Sequence, residues 1–130
     1  MRQRPILVVE DNSDHRELIQ LILEQQLGRE TTWAADGIQA MQMVEKEKPS
    51  LVVLDADLPR LDGLHFARWL KSNPATRDTP VIMLTVTDVT RLEAKRAGCD
   101  EYLEKPFDVD QLVAMVRRYL SGPRPTAVAA

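Results

Sequence analysis

Four branched apolar residues in a row, Leu51-Val52-Val53-Leu54, run directly into Asp55, and Pro59 and Asp62-Gly63 follow within eight residues. A run this short, without polar alternation, is the pattern of a strand covered on both faces, as strands of a parallel sheet are. Parallel strands need crossover connections, so the run commits the chain to alternating strands and helices. It also delivers a carboxylate to the strand's carboxyl end, the side on which open α/β sheets hold their sites. Asp55 is the first candidate for chemistry, although an Asp at such a place also serves simply to bond the next loop, and spacing alone leaves both roles open.

The rest of the chain repeats that grammar. Residues 5–9 are a short apolar strand ending on Glu10-Asp11, and Ser13 or Asp14 is placed to cap a helix whose stripe is Leu18, Ile19, Ile22 and Leu23, ended by Gly28. Residues 30–34 predict a weaker strand bearing Trp33, and Asp36-Gly37 turns into a helix with Ile38, Met41 and Val44 inward. Leu64, Ala67, Trp69 and Leu70 mark a third helix, closed by Ser72-Asn73-Pro74. Residues 80–84 form another buried strand, running out on Thr85. A fourth helix over 89–97 has a thin stripe of Val89, Leu92 and Ala97 and is expected to be the least firmly packed. After Gly98, residues 101–103 are a last strand leading to Lys105-Pro106-Phe107, and Leu112, Val113, Val116, Tyr119 and Leu120 stripe a fifth helix. Five strand–helix units with right-handed crossovers give a doubly wound, flavodoxin-like parallel sheet of order 2-1-3-4-5. We read residues 1–122 as one domain and the Pro- and Ala-rich 123–130 as a flexible tail.

Composition removes several function classes. A net charge of -3 speaks against direct, sequence-independent nucleic-acid binding and against a grip on anionic membrane, and Arg117-Arg118 reads as a solvated helix end. The single Cys99 excludes an internal disulfide and a Cys-based zinc site, and fits a small buried side chain. No apolar run approaches membrane-spanning length or forms a signal-peptide core, so a reducing cytoplasm is the expected compartment. Trp33 and Trp69 read as packing, and Asp14 with His15 as the solvated first turn of a helix rather than as metal ligands.

In such a sheet all strand ends share one edge, so Glu10-Asp11, Asp55, Thr85 and Lys105 converge from distant parts of the sequence. Three carboxylates in one crevice repel each other unless a cation holds them, and oxygen-only ligands suit a hard ion such as Mg²⁺. Lys105 adds positive charge and Thr85 a hydroxyl donor. The set suits an anionic, phosphoryl-like group arriving at Asp55 as nucleophile.

At this point the motifs Val8-Val9-Glu10-Asp11-Asn12, Val53-Leu54-Asp55 with Leu58-Pro59 and Asp62-Gly63, Met83-Leu84-Thr85, and the stretch from Gly98 through Tyr102 to Lys105-Pro106-Phe107 resemble, in order and spacing, the receiver domain of bacterial response regulators. The resemblance spans about residues 5–120. It implies that Asp55 accepts a phosphoryl group from a histidine kinase or phosphotransfer protein. It further implies that Mg²⁺ is held by Asp11, Asp55 and the Asp57 backbone carbonyl, with Glu10 acting through water. Lys105 would pair with phosphoryl oxygens and Thr85 would bond one of them after transfer. Tyr102 would be the switch aromatic that turns inward with Thr85, and the Lys105-Pro106 bond would be cis. Three positions depart from the commonest pattern: Glu10 replaces Asp, Asp57 adds charge near the acceptor, and Val86 stands where a small residue is usual, a crowding expected to slow phosphoryl gain and loss.

A haloacid-dehalogenase-type phosphohydrolase would also use an Asp55-Ala56-Asp57 pair, but it keeps that pair near its N-terminus and needs a later acidic motif. A flavin carrier is disfavoured because Glu10-Asp11 would repel the flavin phosphate. A pseudo-receiver that only binds partners is disfavoured by the intact set of acceptor, acids, hydroxyl and lysine. The reading is therefore a stand-alone switch, catalysing no more than its own phosphoryl uptake and slow hydrolysis. It would signal to a separate output protein through its fourth helix, last strand and fifth helix.

Overall fold

The computed structural model describes residues 3–85 and 91–120. Val86, Val89 and the 123–130 segment, on which three of the expectations above rest, lie outside the described residues. Ten elements alternate: β1 (Ile6–Val9), α1 (Ser13–Leu27), β2 (Thr31–Ala34), α2 (Gly37–Lys46), β3 (Leu51–Asp55), α3 (Gly63–Ser72), β4 (Val81–Thr85), α4 (Arg91–Arg96), β5 (Glu101–Glu104) and α5 (Val109–Leu120). The strands form one parallel sheet in the order β2-β1-β3-β4-β5, as the strand–helix alternation predicts.

The pleat divides each strand between two cores. Val52, Leu54, Val81 and Met83 join Ala40 and Val44 of α2, Phe66, Ala67 and Leu70 of α3, and Ala94 of α4 on one face. Leu51, Val53, Ile82 and Leu84 join Ile19 and Leu23 of α1 and Leu112 and Val116 of α5 on the other. β1, β3 and β4 are buried on both faces. Continuing the alternation past Val8 and Val53 places Glu10 and Asp55 on the α1–α5 face, at its carboxyl edge.

The helices hold corrections. Leu18, Ile38 and Leu92, expected inward, are exposed, Leu18 by 56%, while Ala40, Phe66 and Ala94 are buried in their helices. A stripe of alternating apolar residues is wider than the arc these short helices bury, and small or flat side chains fit where the sheet approaches most closely. Asn12, not Ser13 or Asp14, caps α1, its Oδ1 accepting from the His15 amide at 3.0 Å. Trp33 is not core: it lies half-open under the Arg16 guanidinium, 3.9 Å from the ring centroid. Arg118 is not merely solvated, because it pairs with Glu101, which also accepts from the Tyr119 hydroxyl at 2.8 Å. Trp69 packs on Phe66 with ring centroids 5.8 Å apart, and Cys99 lies against the core, its thiol pushed up to about 12 by burial. α4 buries only Ala94 within its length, in keeping with the expected thin packing. No helix among the described residues is long and apolar enough to cross a membrane.

Candidate functional site

Glu10 and Asp11 leave the end of β1, Asp55 ends β3, and Lys105 follows β5. The sheet brings one carboxylate oxygen from each of Glu10, Asp11 and Asp55 to within 4.8 Å of one another. Lys105 Nζ donates to Glu10 Oε1 at 3.1 Å and stands 3.7 Å from Asp55 Oδ2. Glu10 and Asp55 are nearly enclosed, with 2% and 6% of their surface open, whereas Asp11 faces solvent.

Local bonds set each side chain. Glu10 Oε2 accepts the Asn12 amide at 3.1 Å, so the residue that caps α1 also turns the glutamate into the crevice. Arg16 Nη1 donates to the Glu10 carbonyl at 3.2 Å, tying the strand end to α1. Asp55 Oδ1 accepts the Asp57 amide at 3.1 Å, an Asx turn that starts the loop after β3. That loop closes where the Gly63 amide donates to the Ala56 carbonyl at 3.1 Å. Gly63 is required there: a Cβ on it would lie 2.5 Å from the Asp55 carbonyl oxygen, so only glycine lets α3 begin against the acceptor strand.

Electrostatics follow from two acids sharing one lysine with a third acid alongside. Burial works against charge on Glu10, yet the Asn12 amide, Asp55 and Lys105 outweigh it and hold Glu10 below the usual carboxylate range. Asp55 goes the other way. Burial, then Glu10, pushes it up to about 7 against the Asp57 amide and Lys105. Asp11 is raised as well, by partial burial and by Glu10. The donor set is oxygen-only, buried on one side and solvent-facing on the other, and more negative than one ammonium neutralises. It fits a hard divalent cation that keeps some water.

Of the residues singled out in the sequence, Glu10, Asp11, Asp55 and Lys105 therefore come together. Asp57 stands beside them with an exposed side chain, so it does not form a buried pair with Asp55. Thr85 is enclosed at the end of β4, and its carbonyl accepts the Lys105 amide at 2.8 Å. The pleat places its side chain on the opposite face from Asp55, together with Met83 and its cross-strand neighbour Tyr102. Tyr102 is largely buried, with the Arg91 guanidinium 5.2 Å from its ring centroid. The Lys105-Pro106 bond is cis. Asn12, Arg16 and Gly63 were missed as site residues. Asn12 carried a legible signal, a cap residue two places after an acid, while Arg16 and Gly63 act on partners that only the fold brings near.

A family model described as the response regulator receiver domain matches residues 6–117. Response regulator MprA of Mycobacterium leprae is 38% identical over 122 residues, which cover 92% of this chain and 52% of that protein. The phosphate regulon transcriptional regulatory protein PhoB of Escherichia coli is 37% identical over 127 residues, covering 96% of this chain and 55% of PhoB. The chain thus spans about half the length of these curated relatives. A solved signal receiver domain of a signal transduction histidine kinase from Syntrophus aciditrophicus matches with a TM-score of 0.86 and 33% identity, covering 94% of this chain and 93% of that one.

Proposed function

The chain belongs to the response regulator receiver domain family, and on that premise we propose that it is a phosphorylation-controlled signalling switch of two-component systems whose acceptor is Asp55. One observation carries the assignment. Asp55 is the carboxylate at a buried strand end that shares a 4.8 Å cluster with Glu10 and Asp11 and has Lys105 Nζ 3.7 Å away. Asp11, Asp55 and the Asp57 backbone carbonyl would hold Mg²⁺, and Glu10 would act through water. When bound, Mg²⁺ neutralises the acids and the incoming phosphoryl oxygens.

A carboxylate oxygen of Asp55 attacks the phosphorus of a phosphohistidine on a histidine kinase or phosphotransfer protein. The P–N bond breaks and its electron pair returns to the imidazole, which takes up a proton. Lys105 follows the charge from the carboxylates to the phosphoryl oxygens. Thr85 then turns toward the site from the opposite sheet face and bonds one of these oxygens, and Tyr102, on the face that Thr85 leaves, moves with it. Beside Tyr102 a cavity of about 240 Å³, lined by Arg91, Ala94, Cys99, Asp100 and Glu101, lies next to the thinly packed α4. The altered surface of α4, β5 and α5 is read by an output protein, in the cytoplasm.

The donor's approach also has a surface. A cavity of about 460 Å³ between α1 and the segment after β5 is lined by Leu18, Ile19, Ile22, Phe107 and Val109, and Lys105 belongs both to it and to the site. Its apolar floor beside the acceptor suits a helical face of the donor protein.

Treatment with a small phosphodonor and Mg²⁺ tests the assignment. Wild type should shift on a phosphate-affinity gel and Asp55→Asn should not. Equal labelling of the variant would overturn it, and multiple-turnover release of phosphate from unrelated phosphoesters would favour a phosphohydrolase instead.

A further inference from the structure

Arg60 has φ 66°, the sole non-glycine residue in the left-handed region among those described, and it sits in the loop between the acceptor strand and α3. A side chain there crowds its own backbone, a conformation that glycine adopts freely, so something must hold it. Asp36 does. Arg60 Nε and Nη2 both donate to Asp36 Oδ2, at 3.0 and 2.6 Å, while Asp36 Oδ1 accepts the Gln39 amide at 2.7 Å as the N-cap of α2. Burial opposes charge on Asp36, but the Gln39 amide and Arg60 together hold its carboxyl below the ordinary range. The next residue seats the loop a second time, since a Cβ on Gly37 would overlap the carbonyl of Leu61. The same loop carries Asp57, whose amide bonds Asp55.

We propose that the Arg60–Asp36 clasp is a positioning device, which holds the loop after β3 so that the Asp57 carbonyl stands ready for a divalent cation beside Asp55. This rests on the reading of the acid cluster as a Mg²⁺ site. Neither residue touches the cation. Their effect is to order the backbone ligand beforehand, so that binding does not have to.

Charge alone predicts the opposite sign for one variant, which makes the clasp separable from simple electrostatics. Arg60→Gly removes a positive charge and relieves the backbone, so an electrostatic effect, whatever its reach, could only tighten Mg²⁺. Loss of the clasp weakens it. Titration of the full chain with Mg²⁺, followed by amide NMR shifts, should give about tenfold weaker binding for Arg60→Gly, at the low end for outer-sphere partners. Asp36→Asn, which keeps a capping oxygen, should weaken binding similarly, and the double variant should be no weaker than either single one. Without metal, relaxation of the amides of Asp57, Leu58, Leu61 and Asp62 should report a loosened loop in each variant. Unchanged or tighter Mg²⁺ binding in Arg60→Gly, or losses that add in the double variant, would overturn the clasp. Asp11→Ala separates the two levels. Lost binding there with intact binding in Arg60→Gly removes the clasp alone, whereas intact binding in Asp11→Ala removes the cation site on which it rests.

Discussion

At each end of this sheet a lysine meets acid drawn out of bulk water, half-buried at one end and buried at the other, and the two meetings are built to opposite purposes. At the amino-terminal ends, Lys71 Nζ donates to Asp100 Oδ2 at 2.9 Å and to the carbonyls of Thr79 at 2.7 Å and Arg77 at 3.2 Å. Asp100 Oδ2 also accepts the Val81 amide at 2.8 Å. One cation meets one anion, and each of the three ammonium hydrogens has an acceptor. At the carboxyl-terminal ends, Lys105 is shared by Glu10 and Asp55 with Asp11 alongside, and Asp55 is pushed up to about 7. Acid outnumbers base. A matched pair joins α3, the start of β4 and β5 into one frame. An unmatched cluster stores a demand for positive charge, which a cation or a proton can meet.

Breaking the matched pair should therefore be the larger effect on stability. Lys71→Met leaves Asp100 facing two carbonyls without its cation. Removing one partner of a buried pair costs about 3–5 kcal/mol, and because both side chains keep some solvent contact about 3 kcal/mol is expected, read as a lower urea midpoint. Adding Asp100→Asn should recover part of that loss, since the Asn oxygen still accepts the Val81 amide. A loss under about 1 kcal/mol for Lys71→Met would put this pair among ordinary surface bridges and dissolve the contrast.

The unmatched cluster should respond with the opposite sign. With Asp55 raised above its unfolded value, the native state binds more protons than the unfolded chain between the ordinary carboxylate range and about pH 7. Stability of the chelator-treated protein then falls as pH rises across that window and levels off above it. Asp55→Asn should remove most of the slope, leaving the share of the raised Asp11, and be more stable than wild type by about 2 kcal/mol at pH 8, roughly half the full linkage value because Glu10 is lowered as Asp55 is raised. Saturating Mg²⁺ should stabilise wild type at pH 8 and not the variant. Equal pH slopes in the two proteins would show that Asp55 does not carry the strain of the cluster.

How much of this was legible in the sequence differs between the same two places. The unmatched cluster was readable because its acids stand at the ends of apolar runs and Lys105 just past the last strand, and topology alone sends strand ends to one edge. Glu10, Asp11, Asp55 and Lys105 needed no tertiary detail. Lys71 and Asp100 gave no such signal: they lie 29 residues apart, on a helix and in a loop, and look like solvated charges until β4 and β5 pair. Arg60 and Asp36, 24 apart, were hidden for the same reason. Helix phase was the other gap. The apolar pattern named Leu18, Ile38 and Leu92, whereas the sheet selects Ala40, Phe66 and Ala94, because the closeness of helix to sheet, set by twist and crossover, decides which side chain fits.

The smallest prediction tests whether the matched end is satisfied throughout. Thr79, whose carbonyl receives Lys71, is only 3% exposed, and its Oγ1 has no hydrogen-bond partner among the described residues. Its amide donates to the Thr76 carbonyl at 2.9 Å, and the neighbouring Thr76 hydroxyl donates to the Leu70 carbonyl at 2.6 Å, so two threonines in one turn have unequal fates. Valine keeps the branched shape and removes the buried hydroxyl. Thr79→Val should thus raise stability by about 1 kcal/mol, the size of an unmet polar group relieved, while Thr76→Val should lower it by about as much, because there a made bond is lost. Neither change should move Mg²⁺ affinity or phosphorylation of Asp55, since both sit at the far end of the strands. If Thr79→Val instead destabilises, that hydroxyl is satisfied in solution, and the frame around Lys71 is complete down to its last polar atom.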